Sequence, residues 1–189
     1  LNSISHDLRT PLVSITGTLT SLEEEGATLD EEARRSLITV AREEAERLNR
    51  LVGNLLEMTR IEAGALRPVP EPCDVQEVVN AALDRLGDRL EGRPVAVDVP
   101  AVLAPMDFVL MAQVLVNLLD NALKYSPPHT RIEVSARVDD SILEIQVADR
   151  GIGIPAGERE KIFQQFYRSR GRGEKGGYGL GLFLVKHIM

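Results

Sequence analysis

The sequence has no tryptophan, one cysteine and few aromatic residues, 4% in all. Each scarcity excludes something. Cys73 has no second cysteine to pair with, so this is not a disulfide scaffold. Aromatic rings are too few to build a core, so aliphatic side chains must do it. Long apolar runs are missing as well. The most apolar stretch, residues 108–119, is interrupted by Gln113 and Asn117 and falls short of a membrane span. Nor is there an excess of positive charge. Lys and Arg number 22 against 29 Asp and Glu, a net charge of −7, which argues against nucleic-acid binding. What remains is ordinary for a folded chain: 43% hydrophobic and 27% charged residues over 189 positions. That length allows one large domain or two small ones.

The charge is unevenly spread. Residues 151–189 carry +4, which leaves −11 for residues 1–150. The asymmetry implies either an anion facing the C-terminal end or a chance cluster in a solvated loop. The chain opens on Leu1 and stops at Met189 inside an apolar, helix-like pattern. It is therefore expected to be a piece of something longer.

Periodicity divides the chain. Leu1, Leu8, Ile15 and Leu22 recur at seven-residue spacing, with Ile4, Leu12 and Leu19 beside them, which predicts a helix over 1–25. Gly26 breaks it. Asp30 is a candidate N-cap for a second helix running to about Ala63, with Leu37, Ala41, Ala45, Leu48, Val52 and Leu55 on one face. Gly64 ends it, and the proline-rich residues 68–73 read as a stiff linker. A lone hairpin covers one side of each stripe. Either a second copy closes a four-helix bundle through residues 1–63, or the hairpin packs on the following domain; the dimer is the more economical.

Beyond the linker a helix is expected over 74–90, strands over 94–99 and 102–104, and a long buried helix over Phe108–Tyr125. A hairpin follows, 131–138 with Ile142–Ala148. Then come a short helix over 158–166, a glycine- and charge-rich loop over 169–177, and a final helix from Gly179. Strands grouped with helices in this way indicate an α+β layer. The expected domains are thus a helical hairpin over 1–67, the linker over 68–73 and an α/β-sandwich over 74–189.

His6 falls at the position opposite the apolar seam. A histidine there is usually a plain surface residue. Its neighbours suggest more. Asp7 can orient one ring nitrogen and leave the other lone pair free to attack. Thr10 lies at i+4, where a hydroxyl can position a water or a phosphoryl oxygen. Pro11 sits inside the helix, a feature that ordinarily costs ~3 kcal/mol.

Ser5-His6-Asp7-Leu8-Arg9-Thr10-Pro11-Leu12 resembles the phospho-acceptor box of bacterial two-component sensor histidine kinases. That family's other boxes follow in order. Asn117-Leu-Leu-Asp120-Asn121-Ala-Leu-Lys124-Tyr125 resembles the N box and Asp149-Arg-Gly151-Ile-Gly153-Ile the G1 box. Phe163-Gln-Gln-Phe166-Tyr167-Arg168 resembles the F box and Gly177-Tyr-Gly179-Leu-Gly181-Leu the G2 box. The wording around His6, Arg60-Ile-Glu-Ala-Gly64 and the N box is most similar to Kdp-type potassium sensor kinases.

The resemblance implies a fold, an N-terminal antiparallel hairpin and then a nucleotide-binding domain of the histidine-kinase, gyrase and chaperone kind. It implies ATP and Mg²⁺ as cofactors and an aspartate on a response-regulator receiver domain as acceptor. His6, Asp7 and Thr10 would be catalytic. Asn121 would be the magnesium ligand, Asn117 its support, Lys124 a phosphate contact, and Tyr125 a neighbour of the adenine. Physical chemistry admits these roles beside plainer ones. Asn117, Asn121 and Lys124 share a helix face, and their amides either bond backbone or bind Mg²⁺ through oxygen. Asp149 suits an adenine amine, with Gly151 and Gly153 allowing close approach, or simply makes an Asp-X-Gly turn. Gly177, Gly179 and Gly181 suit a polyphosphate at a helix start. Arg168, Arg170, Arg172 and Lys175 would form a cationic lid. No G-x-x-x-x-G-K-[ST] is present, so this is not a P-loop enzyme.

Related ATPases carry Glu where this sequence has Asn117, and an amide is no base for water. An ATP hydrolase and a non-catalytic dimerisation or docking module remain as rival readings. Tyr178 is bulkier than the family's usual residue there. The family's domain ordinarily continues for at least two more strands. His129, His187 and Cys73 have no neighbours suggesting a site. The expected location is the cytoplasm, with the parent protein anchored in the inner membrane and no direct membrane contact by this fragment.

Overall fold

The structure, a computed structural model, describes residues 2–26, 28–140, 142–168 and 178–189. It divides into two compact units, 1–59 and 60–189.

The first unit is a helical hairpin. α1 spans Asn2–Glu25 and α2 spans Glu31–Glu62. Asp30 caps α2, its Oδ1 accepting the Ala33 N–H at 2.7 Å. The seams differ from expectation. On α2 the inward row is Leu37, Ala41, Glu44, Leu48, Leu51, Leu55 and Met58, a strict alternation of four and three. Ala45 and Val52 fall one step off that row and are exposed. On α1, Leu12 and Leu19 are exposed, while Pro11, Ser14 and Thr18 turn inward instead. Ile4, Leu8, Ile15 and Leu22 keep the expected seam, and Pro11, Ser14 and Thr18 stand where Leu12 and Leu19 are expected.

The second unit has two layers. β1 (Glu71–Asp74) pairs antiparallel with β3 (Leu103–Met106), Pro72 lying opposite Pro105. Residues 71–73 of the expected linker therefore belong to a strand. β2 (Val95–Asp98) runs parallel to β4 (Ile132–Asp139), which pairs antiparallel with β5 (Ile142–Ala148). The order is β2-β4-β5, with Asp140 at φ 44° in the hairpin turn.

α3 (Val75–Leu86) and α4 (Phe108–Tyr125) pack against this sheet. α3 buries Val75, Val78, Val79, Ala82 and Leu86; α4 buries Ala112, Leu115, Leu119 and Ala122; β4 supplies Ile132 and Val134. Gly87, at φ 44°, stops α3 short of Leu90, and the chain continues as one 3₁₀ turn, Gly87–Leu90. The short helix expected over 158–166 is replaced by 3₁₀ turns at Ala156–Glu158 and Lys161–Phe163. Phe166 takes φ 59°, which a right-handed helix does not accommodate. α5 spans Gly181–Ile188 and packs on α4.

Asp107 ties the segment before β1 to the start of α4. Its Oδ1 accepts from the Val109 and Leu110 N–H groups, and its Oδ2 from the Val69 N–H, each at 3.1 Å. The Val69 bond, then that of Leu110, holds the carboxyl below its ordinary pKa; burial opposes them and Val109 adds to them. Replacing Asp107 by Ala should cost about 0.5–2 kcal/mol at neutral pH, the ordinary worth of an N-cap. Because the folded pKa is depressed, the contribution is present above the unfolded pKa and fades as pH falls through the folded one. Urea titrations should therefore show the two proteins differing at pH 7 and converging in acid. An equal gap at both pH values would contradict this reading.

Candidate nucleotide and phospho-acceptor sites

His6 lies on α1 with its side chain 80% exposed. Its Nδ1 is 3.5 Å from Asp7 Oδ1, a loose contact that still favours a proton on Nδ1. Nε2 then carries a lone pair toward solvent. Thr10 donates its hydroxyl hydrogen to the His6 carbonyl at 3.1 Å, so its oxygen is left as an acceptor. Pro11 is buried inside α1. It removes one backbone donor, the one that would reach the Asp7 carbonyl.

The second site is built on the C-terminal half of α4. Asn117, Asn121 and Lys124 follow one another on one face. Asn117 is buried, and its Nδ2 has no hydrogen-bond partner among the described residues. Such a group is costly unless something else satisfies it. Gly181, the first residue of α5, comes so close that a Cβ there would sit 3.3 Å from Asn117 Oδ1. The start of α5 and the middle of α4 thus face each other.

Tyr125 closes α4, 38% exposed, with Lys124 Nζ 5.1 Å from its ring centroid. Burial raises its hydroxyl pKa, Arg168 pulls it down and Asp120 pushes it up, so the phenol stays protonated at neutral pH. Asp120 in turn bonds Arg89.

β5 runs out into Asp149, whose Oδ1 accepts the Gly151 N–H at 2.6 Å. The Ile152 N–H reaches the Tyr125 carbonyl at 3.3 Å. Gly151 is wedged between them. A Cβ at that position would lie 2.5 Å from both Asp149 Oδ1 and the Tyr125 carbonyl oxygen, so only glycine fits. Gly153, at φ 66°, turns the chain onward. Gly179, at φ 68°, lies against the backbone of Phe166 and Tyr167, and the Phe166 N–H bonds the Gly179 carbonyl at 3.0 Å.

The structure therefore places Asn117, Asn121, Lys124, Tyr125, Asp149, Gly151 and Gly181 along the C-terminal half of α4. Arg168 is exposed but acts electrically on Tyr125. Gly177, Arg170, Arg172 and Lys175 lie outside the described residues. Asp107, Arg93 and Ser126 carry bonds that sequence reading passed over. A signal existed for Asp107, an acid directly before an apolar helix. None existed for Arg93.

Replacing Gly151 by Ala should displace the turn from α4. Overpacking of this kind costs about 1–3 kcal/mol, so affinity for an adenine nucleotide should fall about tenfold or more. Calorimetric titration checks it, with circular dichroism showing an intact fold.

Asn117 and Asn121 offer amide oxygens, which are hard donors. Among the described residues no group of three or more His, Cys, Asp or Glu is placed to hold a metal. A magnesium ion held here would draw on an amide oxygen, phosphate oxygens and water, which matches its chemistry. No described helix is long and apolar enough to cross a membrane.

Comparison with known proteins matches both units. Residues 1–64 match the His Kinase A (phospho-acceptor) domain. Residues 106–189 match the family of histidine kinase-, DNA gyrase B- and HSP90-like ATPases. The sensor protein KdpD of Clostridium acetobutylicum is 35% identical over 193 aligned residues, covering 100% of this chain and 21% of that protein. The histidine kinase AdeS of Acinetobacter baumannii superposes with a TM-score of 0.70 at 28% identity, covering 97% of this chain and 85% of that one. A mycobacterial sensor histidine kinase, MprB, gives 0.58 at 36% identity, covering 64% and 78%. The chain spans 21% of that KdpD and 39% of the MprB kinase/phosphatase of Mycolicibacterium smegmatis, to which it is 37% identical.

Proposed function

Because the chain belongs to the bacterial two-component sensor histidine kinases, with a phospho-acceptor hairpin followed by an ATPase-type α/β domain, we propose that it phosphorylates itself on His6 from ATP. The observation that carries this reading is the state of His6: exposed, with Nδ1 turned to Asp7 and Nε2 open. Nε2 attacks the γ-phosphorus in line. An N–P bond forms, the bond from phosphorus to the β,γ-bridging oxygen breaks, and ADP leaves with that electron pair. Asp7 holds the tautomer and stabilises the positive charge that develops on the ring. Thr10 would orient a water that hydrolyses the phosphoryl group of a phosphorylated partner, undoing the signal.

On the nucleotide side, Asp149 is the acceptor for the adenine amine, and the Gly151 turn and Tyr125 flank the base. Asn121, supported by Asn117, would hold Mg²⁺, which neutralises phosphate charge when bound. Lys124 and Arg168 meet the phosphates, as would Gly177, Gly179 and Gly181 through their backbone. An amide at 117 cannot take a proton from water, which favours transfer to His6 over hydrolysis.

The partners follow from the same chemistry. The hairpin leaves Leu12, Val13, Leu19, Ile38, Val52 and Leu56 exposed, an apolar surface that supports homodimerisation through residues 1–63. The phosphoryl acceptor is an aspartate of a response-regulator receiver domain. The working site is the cytoplasm, with the parent protein held at the inner membrane.

Incubation with γ-labelled ATP tests the reading. Protein-bound label that is lost in acid and kept in alkali is the expected result. Steady phosphate release with no bound label would establish a hydrolase instead.

A further inference from the structure

Two arginines reach the end of α4 from the segment that joins α3 to β2. Arg89 bonds Asp120, one turn before the helix ends. Arg93 goes further. Its Nη1 donates to the Pro127 carbonyl and its Nη2 to Ser126 Oγ. Ser126 is the C-cap of α4, 2% exposed, with both its N–H and its hydroxyl bonded to the Ala122 carbonyl. The Pro127 carbonyl also accepts the Thr130 N–H at 3.3 Å and the Thr130 hydroxyl at 2.8 Å. A guanidinium fork thus grips the point where the helix stops, at the negative end of its dipole.

The residue just before that point is Tyr125. Its carbonyl receives the Ile152 N–H and walls one side of Gly151. We propose that Arg93 is a positioning residue for the nucleotide site. Its fork fixes where α4 ends and how that last turn is rotated, and so sets the Tyr125 carbonyl and ring against the Gly151 turn. Arg93 itself touches no nucleotide. The role rests on the kinase reading above and names the residue that sets one wall of its adenine pocket.

The test is a pair of substitutions and their combination, read by equilibrium binding of a non-hydrolysable ATP analogue well below each protein's melting temperature. Arg93→Ala should raise Kd about tenfold, because the Tyr125 wall of the pocket is no longer held in place. Ser126→Ala should raise it by less. The double variant should bind no worse than Arg93→Ala, because both changes remove the same clamp. Labelling of His6 by phosphoramidate, which needs no nucleotide, should be unchanged throughout. Arg93→Lys keeps the charge but loses the fork, so it should fold like the wild type and still bind more weakly. Kd within twofold of wild type in both Arg93 variants, or multiplicative losses in the double variant, would overturn the proposal. A wild-type chain that binds no analogue would overturn the kinase reading and this role with it.

Discussion

His6→Gln abolishes ATP-dependent labelling. The expected fall is at least about a thousandfold, to background, since removing a nucleophile leaves only non-specific transfer. Glutamine keeps much of the volume and polarity of the imidazole but offers no basic nitrogen. His6 is exposed on α1 and packs against nothing that would collapse, so the melting temperature should hardly move. Binding of an ATP analogue should be unaffected. The variant thus separates two sites that a single activity assay merges. Label that survives the substitution, still acid-labile, would place the acceptor on His129 or His187 and remove His6 from the mechanism.

The second large effect falls on the other unit. Asn121→Ala removes an amide oxygen from the middle of the α4 face, between Asn117 and Lys124. If that oxygen holds magnesium against the phosphates, ATP-dependent labelling should drop by about a hundredfold or more, the scale seen when one electrostatic contact to a reacting group is lost. Uptake of a phosphoryl group by His6 from phosphoramidate should persist, because the hairpin is untouched. Raising magnesium should recover part of the lost rate. Labelling within a few-fold of wild type at low magnesium would show that Asn121 is a structural amide.

How far the sequence spoke for the structure depended on the element. α4 was legible at both ends. Its apolar run gives the observed bounds, Phe108 and Tyr125, although the cap at Asp107 went unread. The stripe of α3 was equally plain, because valines at 75, 78 and 79 leave no other face to bury. β1 was not legible. Pro72 argues against a strand, and only the tertiary pairing with β3 makes one. The turns around 156–163 misled in the opposite sense. Ile162, Phe163 and Phe166 have helical spacing, but Phe166 is held left-handed by its bond to Gly179, a partner far along the chain.

The site divides in the same way. Asn117, Asn121 and Lys124 share one helix face, and that spacing made them visible as a set. The hydrogen bond that joins Tyr125 to the turn after Asp149 was not, since a backbone carbonyl has no signature in a sequence. Nor was the Arg93 fork, which depends on where a loop returns. Motif reading found the groups that would touch a ligand and missed those that hold them.

The pairing of Pro72 with Pro105 has a consequence of its own. A proline survives in a ladder where its missing N–H would have pointed outward. Here both strands of a two-stranded ribbon lack that outward donor at the same level. A stray β-strand approaching either rim finds a donor missing at that level and cannot complete a register. The ribbon is thereby protected against edge-to-edge growth, so its solubility at high concentration should depend on these two rings.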